Sequence, residues 1–157
     1  MAIDSPSCGT GSAAGTHNER MESWELRPWF EDFLDACNRH DLEAIGEFFA
    51  PGVRRAHRTG GRGAWLDDLH ALFRGFPDWR WRRIQLVVED DRIAAHLRGS
   101  GTHRGEYRGI PATGTHANVA EFSFYRLEGG RIAEHSGSGD DELMAQLRSG
   151  RDACRTR

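Results

Sequence analysis

The hydrophobic pattern of this chain changes period at Phe76-Pro77-Asp78, and that change restricts the folds open to it. Before this point, apolar residues recur every three or four positions, which predicts amphipathic helices over residues 24–39, 42–49 and 62–74. After it they alternate with period 2, which predicts strands over residues 79–88, 92–102, 117–127 and 131–137. A final helix is predicted from about Asp140. Helices followed by a run of neighbouring strands predict an α+β fold.

Length and composition predict one globular domain. The 157 residues are 38% hydrophobic, which is enough to enclose a core and a small pocket. We predict a disordered leader at residues 1–22, a single domain at 23–148 and a flexible tail at 149–157. All 21 basic residues are arginines, which excludes lysine Schiff-base chemistry.

Composition also argues against several classes of partner. The formal net charge of -3 and the strand-like pattern of residues 79–83 (WRWRR) argue against binding to nucleic acid. No apolar run approaches the ~20 residues that span a membrane, and no signal peptide pattern is present, so we expect a soluble cytoplasmic protein. Since Cys8, Cys37 and Cys154 form no CxxC pair and the eight histidines show no metal-ligand spacing, we expect no metal.

Two motifs in sequence order resemble a known family. Residues 101–114 read GTHRGEYRGIPATG, and after a predicted strand residues 128–135 read EGGRIAEH. Over residues 24–148 the chain resembles the SnoaL-like polyketide cyclases, which have a nuclear transport factor 2-like fold. The resemblance implies a cone of N-terminal helices packed in a curved, mainly antiparallel sheet. It also implies a homodimer through the outer sheet face and a cofactor-independent enzyme acting on a small hydrophobic substrate.

The chain departs from this family at its most important position. SnoaL-like cyclases typically carry HxD on the last strand, where the aspartate is the acid/base of an intramolecular aldol closure. Here the sequence is His135-Ser136-Gly137, so a glycine occupies the aspartate position. The histidine that assists this aspartate in the family corresponds to Ser123. The family's aldol mechanism therefore cannot be carried over to this chain.

The strand predicted at residues 117–127 has two unlike faces, because alternate residues of a strand share a face. One face carries Ala117, Val119, Glu121, Ser123 and Tyr125, and the other carries Asn118, Ala120, Phe122, Phe124 and Arg126. If the first face is concave, its polar residues line a pocket while Phe122 and Phe124 lie in a dimer interface. If the first face is solvent-exposed, its residues are ordinary surface positions. The resemblance favours the pocket.

Glu121 is the strongest candidate for an acid/base. A carboxyl group beside Val119 and Tyr125 would be partly desolvated, which raises its pKa towards the working pH. The alternative is an ordinary ion pair with Arg83 or Arg98.

Further candidates follow from the motifs. His135 on the last strand, His57 after the second helix and Asp140 are possible catalytic partners of Glu121. Their alternatives are a packed histidine, a histidine in a solvated loop and a helix N-cap, respectively. The expected substrate-binding residues are Ser123, Tyr125, Trp65, Val119, Leu97 and Phe33.

Three functions compete. The leading hypothesis is an enzyme that acts on a polyketide-like secondary-metabolite intermediate by cyclisation, proton transfer, dehydration or ring opening. The second is a non-catalytic protein that binds a small molecule or assists a partner tailoring enzyme such as an oxygenase. The third is an epoxide-opening hydrolase with Glu121 and Asp140 as its paired carboxylates.

Overall fold

The computed structural model describes residues 21–56 and 58–155, with side chains described as far as Gly150. It contains nine elements: α1 (Ser23–Asn38), α2 (Leu42–Glu47), β1 (Phe49–Arg55), α3 (Gly61–Gly75), β2 (Arg80–Glu89), β3 (Arg92–Thr102), β4 (His116–Glu128), β5 (Arg131–Ser136) and α4 (Asp140–Arg155). The α+β prediction is therefore confirmed. Residues 1–20 of the predicted leader, and His57, lie outside the described residues.

The five strands form one curved sheet in the order β1-β5-β4-β3-β2. All neighbouring pairs are antiparallel except β1 and β5, which are parallel. Helix α1 packs on the concave face, where its buried Leu26 and Phe30 belong to the same core cluster as Ile93 and Leu127 from the sheet. This face, covered by helices, is where a pocket can form.

Strand β1 was not predicted. The sequence pattern continued the second helix through Phe49 and stopped it at Pro51-Gly52, but α2 ends at Glu47 and a strand follows. Proline is tolerated in an edge strand, since its missing N–H faces no partner there. The β1–β5 register shifts between Phe49 and Arg54, around the proline. The local Pro51-Gly52 signal thus gave no indication of a strand, because β1 forms through its long-range pairing with β5.

The glycines of β3 make room for a tryptophan. Glycines within a strand, such as Gly99 and Gly101, are typical of a bend or bulge, but β3 pairs with β4 at every residue from Arg92 to Thr102. A Cβ atom on Gly99 would lie 2.5 Å from Cζ2 of Trp79, and a Cβ atom on Gly101 would lie 3.0 Å from the Cα atom of Trp79. The glycines therefore leave room for a fully buried indole against the sheet.

Helix α4 covers the far end of the sheet. It begins at Asp140 as predicted and continues to Arg155, beyond the domain boundary that we predict at residue 148. Leu143 and Leu147 are buried in a second core cluster with Val119. No helix among residues 21–56 and 58–155 is long and apolar enough to cross a membrane.

Candidate active site

A pocket of about 500 Å³ lies between the concave face of the sheet, helices α1 and α3 and the start of α4. Its lining brings together most of the predicted site residues, namely Phe33, Trp65, Leu97, Val119, Glu121, Tyr125, His135 and Asp140. Ser123 lies directly behind this lining and contacts Glu121. His57 lies outside the described residues, so its predicted role stays a prediction.

The two faces of β4 are oriented as the pocket interpretation requires. Val119 and Tyr125 are buried on the concave side, and Ser123 is only 1% exposed. Phe122 and Phe124 point outward and are each 60% exposed. The alternative that the Glu121 face is a solvent face is therefore wrong.

Glu121 is held by two hydrogen-bond donors. The indole Nε1 of Trp81 donates to Oε2 at 3.1 Å, and the Ser123 hydroxyl donates to Oε1 at 2.8 Å. The ion pair that we considered as an alternative is absent: Arg83 pairs with Glu31 instead, and no arginine in the described part of the chain forms an ion pair with Glu121. The carboxyl is thus oriented by neutral donors in an aromatic wall.

Burial raises the pKa of the Glu121 carboxyl above its usual range. The hydrogen bonds from Ser123 and Trp81 lower the pKa and offset part of this effect, and the negative charge of Asp140 raises it further. A raised pKa brings a carboxyl closer to the working pH, which helps it both to accept and to release a proton. This environment suits a general acid or base.

His135 is packed between aromatic rings. Its imidazole lies 4.6 Å from the ring of Trp65 and 4.9 Å from that of Tyr125, measured between centroids. Its Nε2 is buried and has no hydrogen-bond partner among the described residues. Burial lowers the pKa of His135 to about 4, helped by the charge of Arg55 and opposed by Asp140. The imidazole is therefore neutral at neutral pH.

This lowered pKa predicts that His135 costs the protein stability in acid. Between about pH 6.5 and about pH 4, His135 is protonated in the unfolded chain but remains neutral in the folded protein. The free energy of unfolding therefore decreases as the pH falls through this window. Between pH 7 and pH 4.5 the wild type should lose about 2 kcal/mol more than His135→Gln. Urea unfolding of both proteins at the two pH values measures this difference. Equal losses would show that the folded imidazole titrates normally.

Asp140 lies in a network of ion pairs. Its Oδ2 accepts from Arg58 at 2.9 Å and from Arg108 at 2.8 Å. It is the first residue of α4, and its carboxylate contacts these guanidinium groups in place of the backbone N–H groups that an N-cap would bind. The N-cap alternative is therefore wrong. A carboxylate shared by two arginines is also less available for proton transfer than Glu121.

Gly137 has no space for a side chain. Its φ of 93° lies in the left-handed region, and a Cβ atom added to it would lie 1.9 Å from the carbonyl oxygen of Phe122. Position 137, which the sequence resemblance matches to the family's aspartate, is therefore closed to any side chain in this backbone.

Several pocket residues are not among the predicted site residues. Trp81 reaches Glu121 from β2 across the intervening strand β3, and Arg55, Arg58 and Arg108 converge from separate segments. The alternation of residues 79–83 did put the two tryptophans on one face, which was the available signal for Trp81. Nothing local indicates that the arginines meet.

A curved five-stranded sheet packed on α1, with an internal pocket, defines a nuclear transport factor 2-like domain. The sequence profile of the SnoaL-like polyketide cyclases matches residues 29–147, so the chain belongs to that family. Membership supports an enzymatic, cyclase-like role. No curated protein matches the sequence.

Solved structures have the same fold. TsrD from Streptomyces laurentii superposes with a TM-score of 0.72 at 25% identity, over 81% of this chain and 97% of that one. A SnoaL-like polyketide cyclase from Agrobacterium tumefaciens gives 0.69 at 25% identity, over 80% and 98%. IdmH from Streptomyces antibioticus gives 0.66 at 27% identity, over 77% and 96%.

Proposed function

We propose that this protein is a cofactor-independent acid–base enzyme that acts on a polyketide-like secondary-metabolite intermediate. It catalyses cyclisation, or a related proton transfer, dehydration or ring opening, with Glu121 as the acid/base. The observation that carries this proposal is a carboxyl of raised pKa, oriented by Trp81 and Ser123 inside the pocket of a cyclase-family fold. In this proposal Glu121 on β4 supplies the acid/base for which Gly137, just after β5, has no side chain.

In a ring closure, the carboxylate of Glu121 removes a proton from a carbon next to a substrate carbonyl. The electrons of the C–H bond move to the carbonyl oxygen and form an enolate, whose carbon attacks a second carbonyl carbon. The proton held by Glu121 then passes to the new alkoxide. His135 is neutral and packs against Trp65 and Tyr125, so it adds an uncharged wall to the pocket around the reacting carbons. A single bound conformer brings the two carbons together.

The lining fits a flat, hydrophobic substrate. Its volume of about 500 Å³ lies within the ~300–1,000 Å³ of small-molecule sites. Aromatic and aliphatic walls come from Phe33, Trp65, Leu97, Val119 and Tyr125. Such walls stack on planar polycyclic ligands while a few polar groups set their orientation.

Proton exchange tests the proposed chemistry without knowledge of the natural product. The protein is incubated in D₂O with aromatic ligands that carry a β-dicarbonyl side chain, with no cofactor added. Deuterium should enter the carbon between the carbonyls faster than in the buffer blank, as measured by NMR, and competent chains should close into rings. Ligands that bind but neither exchange nor cyclise would refute acid–base catalysis.

An accessory, non-catalytic role is the second candidate, and the absence of a side chain at Gly137 favours it. In that role the protein binds an intermediate and assists a partner tailoring enzyme such as an oxygenase. It predicts ligand binding with no exchange, and a changed product distribution only when the partner is present. An epoxide hydrolase is less well supported, because Asp140, the second carboxylate it needs, is held by two arginines.

We also propose a homodimer through the outer face of the sheet. Phe122 and Phe124 are each 60% exposed there, Val87 is 53% exposed, and His96 stacks on Phe122 with centroids 4.3 Å apart. An exposed apolar patch on a small domain marks an interaction surface.

Phe122→Glu is accordingly expected to convert the dimer to a monomer, because it places a charge in the apolar interface. Light scattering during size-exclusion chromatography measures the mass. Trp24→Glu is the matched control, since Trp24 is 73% exposed on α1 and away from this face. A wild-type monomer, or a Phe122→Glu dimer, would contradict the proposal.

A further inference from the structure

Five charged side chains form a continuous chain along the pocket, which we call the mouth cluster: Arg55, Asp68, Arg58, Asp140 and Arg108. Oδ2 of Asp68 accepts from Arg55 at 2.7 Å and from Arg58 at 3.2 Å. Oδ2 of Asp140 accepts from Arg58 at 2.9 Å and from Arg108 at 2.8 Å. Positive and negative groups therefore alternate, with an arginine at each end.

The cluster lies at the open end of the pocket. All five side chains line it, and those of Arg58, Arg108, Asp68 and Asp140 keep between 32% and 38% of their surface exposed. Phe33 and Leu97, by contrast, are buried deeper in the same lining. The cluster therefore separates an apolar interior from solvent.

The arginines have hydrogen-bonding capacity to spare. Three guanidinium groups face two carboxylates, and each carboxylate uses one oxygen for both of its partners. A guanidinium has five N–H donors, so the end members Arg55 and Arg108 retain free donors. Asp141 also lines the pocket, but it is exposed and water screens its charge.

Aromatic rings hold both end arginines in place. The guanidinium of Arg55 lies 5.4 Å from the centre of the Trp65 ring. The guanidinium of Arg108 lies 5.3 Å from the centre of the Tyr107 ring. The side chain of Arg55 is only 10% exposed. Oriented guanidinium groups lose little entropy when they bind an anion.

We infer that the mouth cluster binds an acidic group, a carboxylate or a phosphate, on a ligand whose apolar body fills the pocket. Among the pocket-lining residues of the described chain, the only arginines are those of the cluster. The rest of the lining offers no cation to a negatively charged group, since it contains no further arginine and its histidine, His135, is neutral. This inference rests on the proposed small-molecule pocket and adds the class of ligand, an aromatic acid.

Three probes with one aromatic body test it: 2-naphthoic acid, its methyl ester and 2-naphthyl phosphate. Dissociation constants are measured by calorimetry on the full chain. The wild type should bind an anionic probe about tenfold or more tightly than the ester, with a preference that weakens as salt is added. A tighter carboxylate points to a free acid as substrate, and a tighter phosphate points to a phosphate-bearing ligand.

Variants assign the effect to the cluster. Arg108→Gln should weaken binding of the preferred anion about tenfold and leave the ester unchanged. Arg54→Gln is the control, because Arg54 pairs with Glu134 and does not line this pocket. Asp140→Asn should tighten anion binding, since it releases two guanidinium groups from a competing carboxylate. Thermal unfolding verifies that each variant is folded.

Three results would overturn the inference. The first is an ester that binds the wild type as tightly as both anions do. The second is an Arg108→Gln variant that keeps the anion preference. The third is an Asp140→Asn variant that weakens anion binding as much as Arg108→Gln does, which would make the cluster a structural support. Glu121→Gln separates this inference from the proposed chemistry. That variant should keep the anion preference even where turnover is lost.

Discussion

Glu121→Gln is expected to lower turnover by about 10²-fold or more while ligand affinity and fold are retained. Glutamine has nearly the same shape, and its amide oxygen can accept the hydrogen bond from Trp81. Its NH2 group can donate to the Ser123 hydroxyl, which reverses the direction of that bond. It cannot take up or release a proton near neutral pH. The variant therefore removes the proton transfer and keeps the pocket.

Ser123→Ala is the matched test of the environment of Glu121. The Ser123 hydroxyl stabilises the charged carboxylate and so lowers its pKa, which means that its removal should raise the pKa of Glu121 further. If the carboxylate acts as the base, the rise of kcat with pH should shift to higher pH. An unchanged pH profile in Ser123→Ala, or full activity in Glu121→Gln, would assign the chemistry to another group.

Gly137→Asp is expected to destabilise the protein without improving catalysis, although it recreates the family's HxD motif. Any side chain here would meet the Phe122 carbonyl oxygen, at 1.9 Å from the Cβ position, and would require φ of 93° from a residue other than glycine. Overpacking and backbone strain each cost about 1–3 kcal/mol, a large part of the stability of a small domain.

Gly114→Asp provides the control for Gly137→Asp. Gly114 also has a positive φ, of 71°, but no atom lies within 4 Å of its Cβ position, so only the backbone strain remains. Urea unfolding should place Gly137→Asp at least about 2 kcal/mol below Gly114→Asp. Equal stabilities, or a Gly137→Asp protein with raised turnover, would show that the backbone readily accepts the family's aspartate.

The sequence predicted the parts of the site that depend on local pattern. The period change after Phe76-Pro77-Asp78 separated helices from strands, and alternation along β4 put Glu121, Ser123 and Tyr125 on one face. These predictions succeed because side-chain direction in a strand follows from backbone geometry alone. Strand β1 was missed because Pro51-Gly52 is a local stop signal, whereas the parallel pairing with β5 that forms this edge strand is long-range.

The amino-acid sequence determined the kinds of elements, the faces of β4, the absence of lysine and the glycine at position 137, which the resemblance matches to an aspartate. Only the tertiary structure decided that Trp81, 40 residues away, donates to Glu121, and that Arg58 and Arg108 meet at Asp140. It also decided the pKa shifts of Glu121 and His135, since desolvation depends on how much protein surrounds a group. Hydrogen bonds and burial depend on which residues are neighbours in space. The strand order creates those neighbours, and no local pattern in the sequence predicts that order.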